Sequence, residues 1–497
     1  MFINPGDPIA GAEEFLKGNE GIALVALATV LGGFAPLVSA VLKALQVRAA
    51  DRIVSPRPAA GATKITVPPL ARAPAGDFNI QETTSRSVRF GVMPYVDHTQ
   101  AFIAQRLAWF EEAGIRPTFR RYTPDDGLDA LERGEIDVLS ITPSALIKRG
   151  ANPHGIKAFV LHDLFVGFGL MTRRRLFPGA FQRVRSYREL RDLGRSHNEA
   201  LAQIAMYVSG RRVTHAKDDA ILPFLSRIQS AAPDARPFRH VQAKELQTVM
   251  TMVKGKADFQ VGGTPSRLTL EKLKFRSLIS SMDLLEHGAL MENSAEYLGL
   301  IQCGWFASGT WLEQNPDLAL RMASVSYRIT KFIVDDPRLA ARIQVDYLND
   351  IADTVLDEND LCRAYQDLHP FKTFEAQTVW FQDEADPFYV PTVTRNIIEY
   401  WRTAHPSFTF ENLATPDDII VAGQLHARLA ALRRACVARF QTLETERASP
   451  EQAADLRAAG KFFSSYNYMD CLRLLDRLAA CPADESPERR PGHSTTT

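Results

Sequence analysis

Excess charge, paired cysteines and the common catalytic signatures are all missing from this sequence. Lysine plus arginine and aspartate plus glutamate each total 58 in 497 residues, so the formal net charge is zero. A chain without a basic surplus exerts no general pull on nucleic acid, and a nucleic-acid partner is not expected. The five cysteines (Cys303, Cys362, Cys436, Cys471 and Cys481) contain no C-x-x-C pair, and an odd number cannot close into a complete disulfide framework. Scattered thiols of this kind read as small core residues and do not report the redox compartment. H-E-x-x-H, G-x-S-x-G and G-x-x-x-x-G-K-[ST] are absent too, which removes the local signatures of zinc proteases, serine hydrolases and P-loop NTPases. Gly167-Phe168-Gly169 is a fragment of a dinucleotide fingerprint without its third glycine. The 11 histidines are scattered. These patterns lead to no expected catalytic residue, metal or cofactor, and a catalytic set assembled only by folding would leave no such trace.

Charge of either sign is also missing from Gly21 to Leu42 (GIALVALATVLGGFAPLVSAVL). That length matches the ~20 residues a helix needs to cross a bilayer. Pro36 and Gly32-Gly33 would weaken a soluble helix but are tolerated in a transmembrane one. The flank before it is acidic (Asp7, Glu13, Glu14 and Glu20 against Lys17) and no small-x-small site follows, which argues against a cleaved signal peptide. We therefore expect a tail over 1–20 and a transmembrane anchor over 21–43; a buried apolar helix is the competing reading. Lys43, Arg48, Arg52 and Arg57 follow the span, and the positive-inside rule would place the body in the cytoplasm. Residues 44–86, rich in Ala, Pro and Arg, read as an extended linker.

From Ser87 strands and helices alternate, the signature of βαβ units and a largely parallel sheet. A strand over SVRFGVMP precedes a helix expected from Thr99 to Ala113; then come a strand over 117–122, a helix over 126–133 and a strand over 136–141. The stretch from Arg116, RPTFRRYTPDDGLDALERGEIDVLSITPSAL, has a partner about 120 residues later, RPFRHVQAKELQTVMTMVKGKADFQVGGTPSRL from Arg236. Both run from R-P through a strand and a helix to Gly, then x-x-Asp, an apolar strand and T-P-S-x-L. This repeat predicts two related α/β lobes. FVGFGLMTRR (165–174) and YLGLIQCGWFASG (297–309) read as the crossovers between them. Lobe 1 is expected over 87–167 and 298–345, lobe 2 over 168–297, a helical C-terminal extension over 346–485 and a disordered tail over 486–497. Asn315 is the expected N-cap of the helix that begins Pro316-Asp317.

Both T-P-S elements fall where a strand ends and a helix begins. Thr142 and Thr264 suit N-caps, Pro143 and Pro265 the first turn, and the following amides with Ser144 and Ser266 would offer a site for an anion or polar oxygen. Plain helix capping is the competing reading. In open α/β sheets the carboxyl ends of strands face the ligand crevice. Other strand ends there add Tyr95 for an apolar or aromatic ligand surface and Asp97 or His98 for its polar edge, with Lys217, Asp218 and Asp219 in the second lobe.

GVMPYVDHTQAFIAQRLAWFEEAGI and LERGEIDVLSITPSALIKRGANP, continued by SYRELRDLG, VKGKADFQVGG and FASGTWLEQNPDLALRMASVSYRITKFIVDDP, resemble the type 2 periplasmic binding proteins of the nitrate, sulfonate and taurine class. That superfamily includes thiamine-pyrimidine binders. The resemblance covers roughly residues 87–345. It implies a two-lobed, non-enzymatic clamp that closes on a small polar or anionic solute and delivers it to an ABC permease, with its body outside the cytoplasm. It carries the ligand loops onto Tyr95 to His98, Thr142 to Ser144, Lys217 to Asp219, and Gly262, Gly263 and Thr264. Residues 195–210 look inserted, Ala108 stands where a glycine is usual, and the long helical tail and the span are atypical. A membrane-attached sensor is the alternative; a thiamine-pyrimidine-synthase-like enzyme fits less well, because its cysteine-rich iron-binding stretch is missing.

Overall fold

The computed structural model describes residues 85–173, 184–216, 221–288, 301–352, 354–386, 388–404, 413, 415–445 and 450–480. The expected tail, the apolar run 21–43, the linker up to 84, Lys217 to Asp219 and the 486–497 tail lie outside them. Among the described residues no helix is long and apolar enough to cross a membrane.

Among the described residues, ten strands form two five-stranded sheets. The first lobe holds β1 (Arg86–Val92), β2 (Ile115–Arg121), β3 (Val138–Ile141), β4 (Lys157–Phe165) and β10 (Ile301–Ala307) in the order β2-β1-β3-β10-β4. The second holds β5 (Gly169–Thr172), β6 (Arg212–His215), β7 (Arg239–Gln242), β8 (Phe259–Gly262) and β9 (Arg276–Ser280) in the order β7-β6-β8-β5-β9. The orders are the same when β1, β2, β3, β10 and β4 are matched to β6, β7, β8, β5 and β9. In each sheet the first three strands are parallel, and the fourth is antiparallel to both its neighbours. The chain leaves lobe 1 between Phe165 and Gly169, and its return strand β10 completes the first sheet. This is an α/β, two-lobed architecture with two mixed sheets and a C-terminal helical region.

The duplicated sequence element has a duplicated structural role. Gly134 and Gly255 end the first and second copies of the helix with φ of 66° and 68°, a left-handed turn glycine adopts without cost. Three residues on, Asp137 accepts the Arg89 backbone N–H at 2.8 Å and Asp258 accepts that of Arg212 at 3.1 Å, so each carboxylate pins the first strand of its lobe.

Alternation in β1 buries Val88, Phe90 and Val92; Phe90 sits 5.2 Å from Phe119 and edge-on to Trp305 at the same distance. Burial of each such ring stabilises by roughly 1.5–3 kcal/mol. The single helix expected over 99–113 is instead three short ones, Val96–Thr99, Ala101–Arg106 and Trp109–Glu112, broken at Ala108 with φ 58°. Asn315 does occupy the N-cap of Pro316–Asp335, but its side chain donates to Trp311 O at 2.9 Å and accepts from Arg86 at 3.1 Å instead of capping.

The C-terminal helices are plated on both faces of the lobe 1 sheet. Leu361, Tyr365, Phe371 and Phe374 join the core on one face, and Trp380, Val393, Ile397 and Trp401 the other. Residues 419–421 cover the edge strand β4 through Ala158 N–H to Ile419 O and Val421 N–H to Ala158 O, at 2.7 and 2.8 Å. The same region touches lobe 2, where Arg363 pairs with Glu271 and Lys272 with Asp360.

Candidate functional site

The crossover out of lobe 1 is closely covered. Leu368 O accepts the Val166 N–H at 3.1 Å, and a Cβ on Gly167 would lie 2.3 Å from the Phe165 ring and 3.1 Å from Leu368. Only glycine fits there. This contact carries the segment after Leu368 into the junction of the two lobes, where it delivers His369.

Around His369 the fold assembles a cluster of polar side chains shut off from water. Asp97 and His98 come from the turn after β1, Ser140 from β3, His162 and Asp163 from β4, Cys303 from β10 and Thr264 from the start of the lobe 2 helix Thr264–Lys272; none exceeds 5 % exposure. His369 Nδ1 lies 2.8 Å from Asp163 Oδ2, and its Nε2 lies 2.6 Å from Thr264 Oγ1. Asp163, His369 and Thr264 therefore form one chain from lobe 1 through the C-terminal region to lobe 2. His98 Nδ1 is 3.0 Å from Ser140 Oγ and 3.3 Å from Cys303 Sγ; His162 Nε2 is 3.0 Å from Asp97 O.

Burial dominates the electrostatics of this cluster. It pushes the Asp97 and Asp163 carboxyls up, Asp163 well above the usual range because Asp97 adds like-charge repulsion. It pulls His98 and His162 down to about 3 and His369 to about 4, so the three imidazoles are neutral at physiological pH, and it raises the Cys303 thiol. Three groups of three donors have one ligand atom apiece within 4.8 Å of the others: Asp97, His98 and Cys303; His162, Asp163 and Cys303; Asp97, Asp163 and His369. The Asp163–His369–Thr264 chain has the connectivity of an orienting acid, a base and a hydroxyl nucleophile. Thr264 is only 2 % exposed, however, which gives a substrate no approach to that hydroxyl in this closed form.

The other candidate residues divide clearly. Tyr95 lies on the seam, its ring against Gly263 of lobe 2. Asp97 and His98 face inward, into the cluster. Thr142 Oγ1 pairs with Ser144 Oγ at 3.1 Å within its own corner, beside Pro143, and among the described residues reaches neither lobe 2 nor the cluster through a side-chain hydrogen bond. Gly262 closes β8, and Gly263, not Thr264, is the N-cap of the second-lobe helix. The anion site foreseen at that helix start is filled by the chain itself. Glu245 Oε1 accepts the Gly263 N–H at 2.9 Å and the Ser266 hydroxyl, and burial raises this carboxyl. Sequence reasoning missed Glu245, Asp163, Cys303 and His369. Cys303 and Asp163 lie in two apolar strands and are paired across them, a juxtaposition only the β10–β4 register creates.

No family model matches the chain, and no curated protein is similar to it. Several solved structures are similar to it at low identity. The zinc-bound ligand-binding component of an ABC-type import system from Staphylococcus aureus is 14% identical, with 69% of this chain and 98% of that chain covered and a TM-score of 0.47. A putative periplasmic sulfonate-binding protein from Methylobacillus flagellatus is 12% identical over 70% of this chain and 96% of that one, with a TM-score of 0.48. The periplasmic nitrate-binding protein of Synechocystis is 13% identical over 69% and 92%, at 0.39.

Proposed function

We propose that this chain is a solute-binding protein that closes its two lobes on a small polar molecule and hands it to an ABC permease. One observation carries the reading. Two sheets of the same order are joined by crossing strands, and their strand-end loops meet where Tyr95 of lobe 1 lies on Gly263 of lobe 2. Ligands of open α/β sheets bind at such carboxyl ends. The solute class follows from the charges at the seam. The ionisable groups there are the buried carboxyls Asp97 and Asp163 and the half-buried Glu245 with neutral imidazoles, and among the described residues no lysine or arginine pairs with those acids. With no cation placed there to hold a sulfonate or nitrate, a neutral hydrogen-bonding solute such as a pyrimidine fits better.

Thermal unfolding with a panel of amines, pyrimidines, sulfonates and nitrate tests it. A true ligand at 100 times its Kd adds about 2.7 kcal/mol, and Tyr95→Ala should weaken that shift without unfolding the protein. A panel without any shift would overturn the reading.

The same proposal holds the body at the cell membrane through residues 21–43 and outside the cytoplasm. The basic residues after that span favour a second reading, a membrane-attached sensor with a cytoplasmic body. Protease protection of the C-terminus in sealed vesicles separates the two.

A further inference from the structure

We propose that Asp97, Asp163 and His369 form a binding site for one divalent transition-metal ion of the zinc class. This goes beyond the solute-binding reading and does not rest on it. One carboxylate oxygen from each acid and one nitrogen of His369 lie within 4.8 Å of one another. The three side chains come from the β1 turn, β4 and the C-terminal region, so no local sequence spacing betrays them.

Charge balance favours the ion. Among the described residues, two neighbouring carboxyls at 5 % and 0 % exposure have only imidazoles as ion-pair partners: His98 for Asp97 at 3.8 Å, and His162 and His369 for Asp163 at 3.9 and 2.8 Å. Buried charge is retained when it is paired or coordinates a metal. A dication neutralises both carboxylates together, which neutral imidazoles cannot do.

Unused valence points the same way. Asp163 Oδ1 and His162 Nδ1 are sealed from solvent and have no hydrogen-bond partner. Most buried polar atoms in folded proteins are satisfied, so an orphan carboxylate oxygen beside an acid and two imidazoles marks a missing partner.

His369 is also held as a metal-binding histidine is. When Nδ1 takes the ion, Nε2–H donates to Thr264 Oγ1, 2.6 Å away, which fixes the tautomer and the ring plane. Because Thr264 belongs to lobe 2, the ion would tie lobe closure to the β4–β10 core. The donors also select the metal. Imidazole with carboxylate, and the Cys303 thiol nearby, suits zinc or another late first-row ion, whereas calcium demands six to eight oxygens.

The test uses the full chain, stripped with chelator and reloaded with zinc chloride alone. Bound metal is counted by mass spectrometry, and Co(II) replacement is followed by absorption. We expect one equivalent of zinc, a higher Tm and an intense visible cobalt spectrum of low coordination number. Asp163→Asn and His369→Gln should abolish stoichiometric binding, and Thr264→Val should weaken it about 10–100-fold, as loss of an outer partner does; the exposed-face variant His240→Gln should leave it unchanged. A wild-type chain that takes up no zinc, or Asp163→Asn and His369→Gln chains that bind it as tightly as wild type, would overturn the proposal. Should those variants fail to fold, the wild-type cobalt spectrum decides alone, a pale six-coordinate spectrum counting against the site. A chain that fails here can still bind a solute, so the two readings fail separately.

Discussion

The two lobes are built on one plan, yet they use the same T-P-S corner differently. In both, a left-handed glycine ends the helix and an aspartate three residues later pins the first strand. From that glycine to the threonine, however, lobe 1 has Gly134 to Thr142 and lobe 2 has Gly255 to Thr264, one residue more. The extra residue is Gly263. It takes over the N-cap, offers its amide to Glu245, and moves Thr264 into the helix, where its hydroxyl meets His369. Thr142 stays at the N-cap, where its hydroxyl pairs with that of Ser144. A repeat can thus keep its frame while a single inserted residue turns one corner into a junction and leaves the other a simple turn.

Breaking the junction should have the largest effect. His369→Phe keeps the ring volume but leaves both Asp163 and Thr264 without their shared partner, and stranding two buried hydrogen-bonding groups costs about 1–3 kcal/mol each. The urea midpoint should fall accordingly, and a change within the scatter of surface variants would deny His369 its bridging role. Thr264→Val removes only the hydroxyl, strands His369 Nε2, and should cost about 1–3 kcal/mol. The matched Thr142→Val should stay within about 0.5 kcal/mol, the range of ordinary surface changes. Equal costs at the two corners would erase the asymmetry.

Glu245 sharpens the comparison through pH. Burial raises this carboxyl, so the folded chain keeps its proton at a pH where the unfolded chain has lost it. The resulting stabilisation is complete below the ordinary glutamate range and is lost as pH rises through the folded value. Glu245→Gln is neutral at every pH and still accepts the Gly263 N–H. The variant should unfold like wild type near pH 4 and be more stable near pH 8, by on the order of 1 kcal/mol. A wild-type advantage that grows with pH would show that Glu245 is held as a stabilising anion.

Much of the frame was legible because periodicity and repetition are local properties. The strand over SVRFGVMP, the T-P-S-x-L repeat, the crossover out of lobe 1 and the helix after Asn315 all announce themselves within about 10 residues. The site was legible only in part. Asp97 and His98 follow a strand end and could be picked out, although they face a buried cluster, not an open crevice. Asp163, Cys303 and His369 could not, since the β10–β4 register and the passage of residue 368 across Val166 are what bring them together. Glu245 was hidden for a different reason. A glutamate at the start of a helix has an ordinary role there, and nothing local says that its carboxyl reaches the next helix instead.

The stretch after the first parallel strand of each lobe gives the finest contrast. There lobe 2 has the continuous helix Ile221–Ser230, whereas lobe 1 has three short pieces, the last two separated at Ala108 with φ 58°. A left-handed alanine is strained by its Cβ against the backbone, by roughly 1–2 kcal/mol. Glycine removes that strain but adds unfolded-state freedom, which returns roughly 0.5–1 kcal/mol of the gain. Ala108→Gly should therefore raise stability by about 0.5–1 kcal/mol, seen as a small upward shift of the urea midpoint with an unchanged m-value. The same substitution inside the lobe 2 helix, Ser226→Gly, should destabilise by at least as much, since there glycine costs helix propensity and also the hydrogen bond between Ser226 and Tyr400. Opposite signs at the two sites would attribute the break in lobe 1 to backbone conformation at this one residue; a loss at both would mean that Ala108 sits in an ordinary helix.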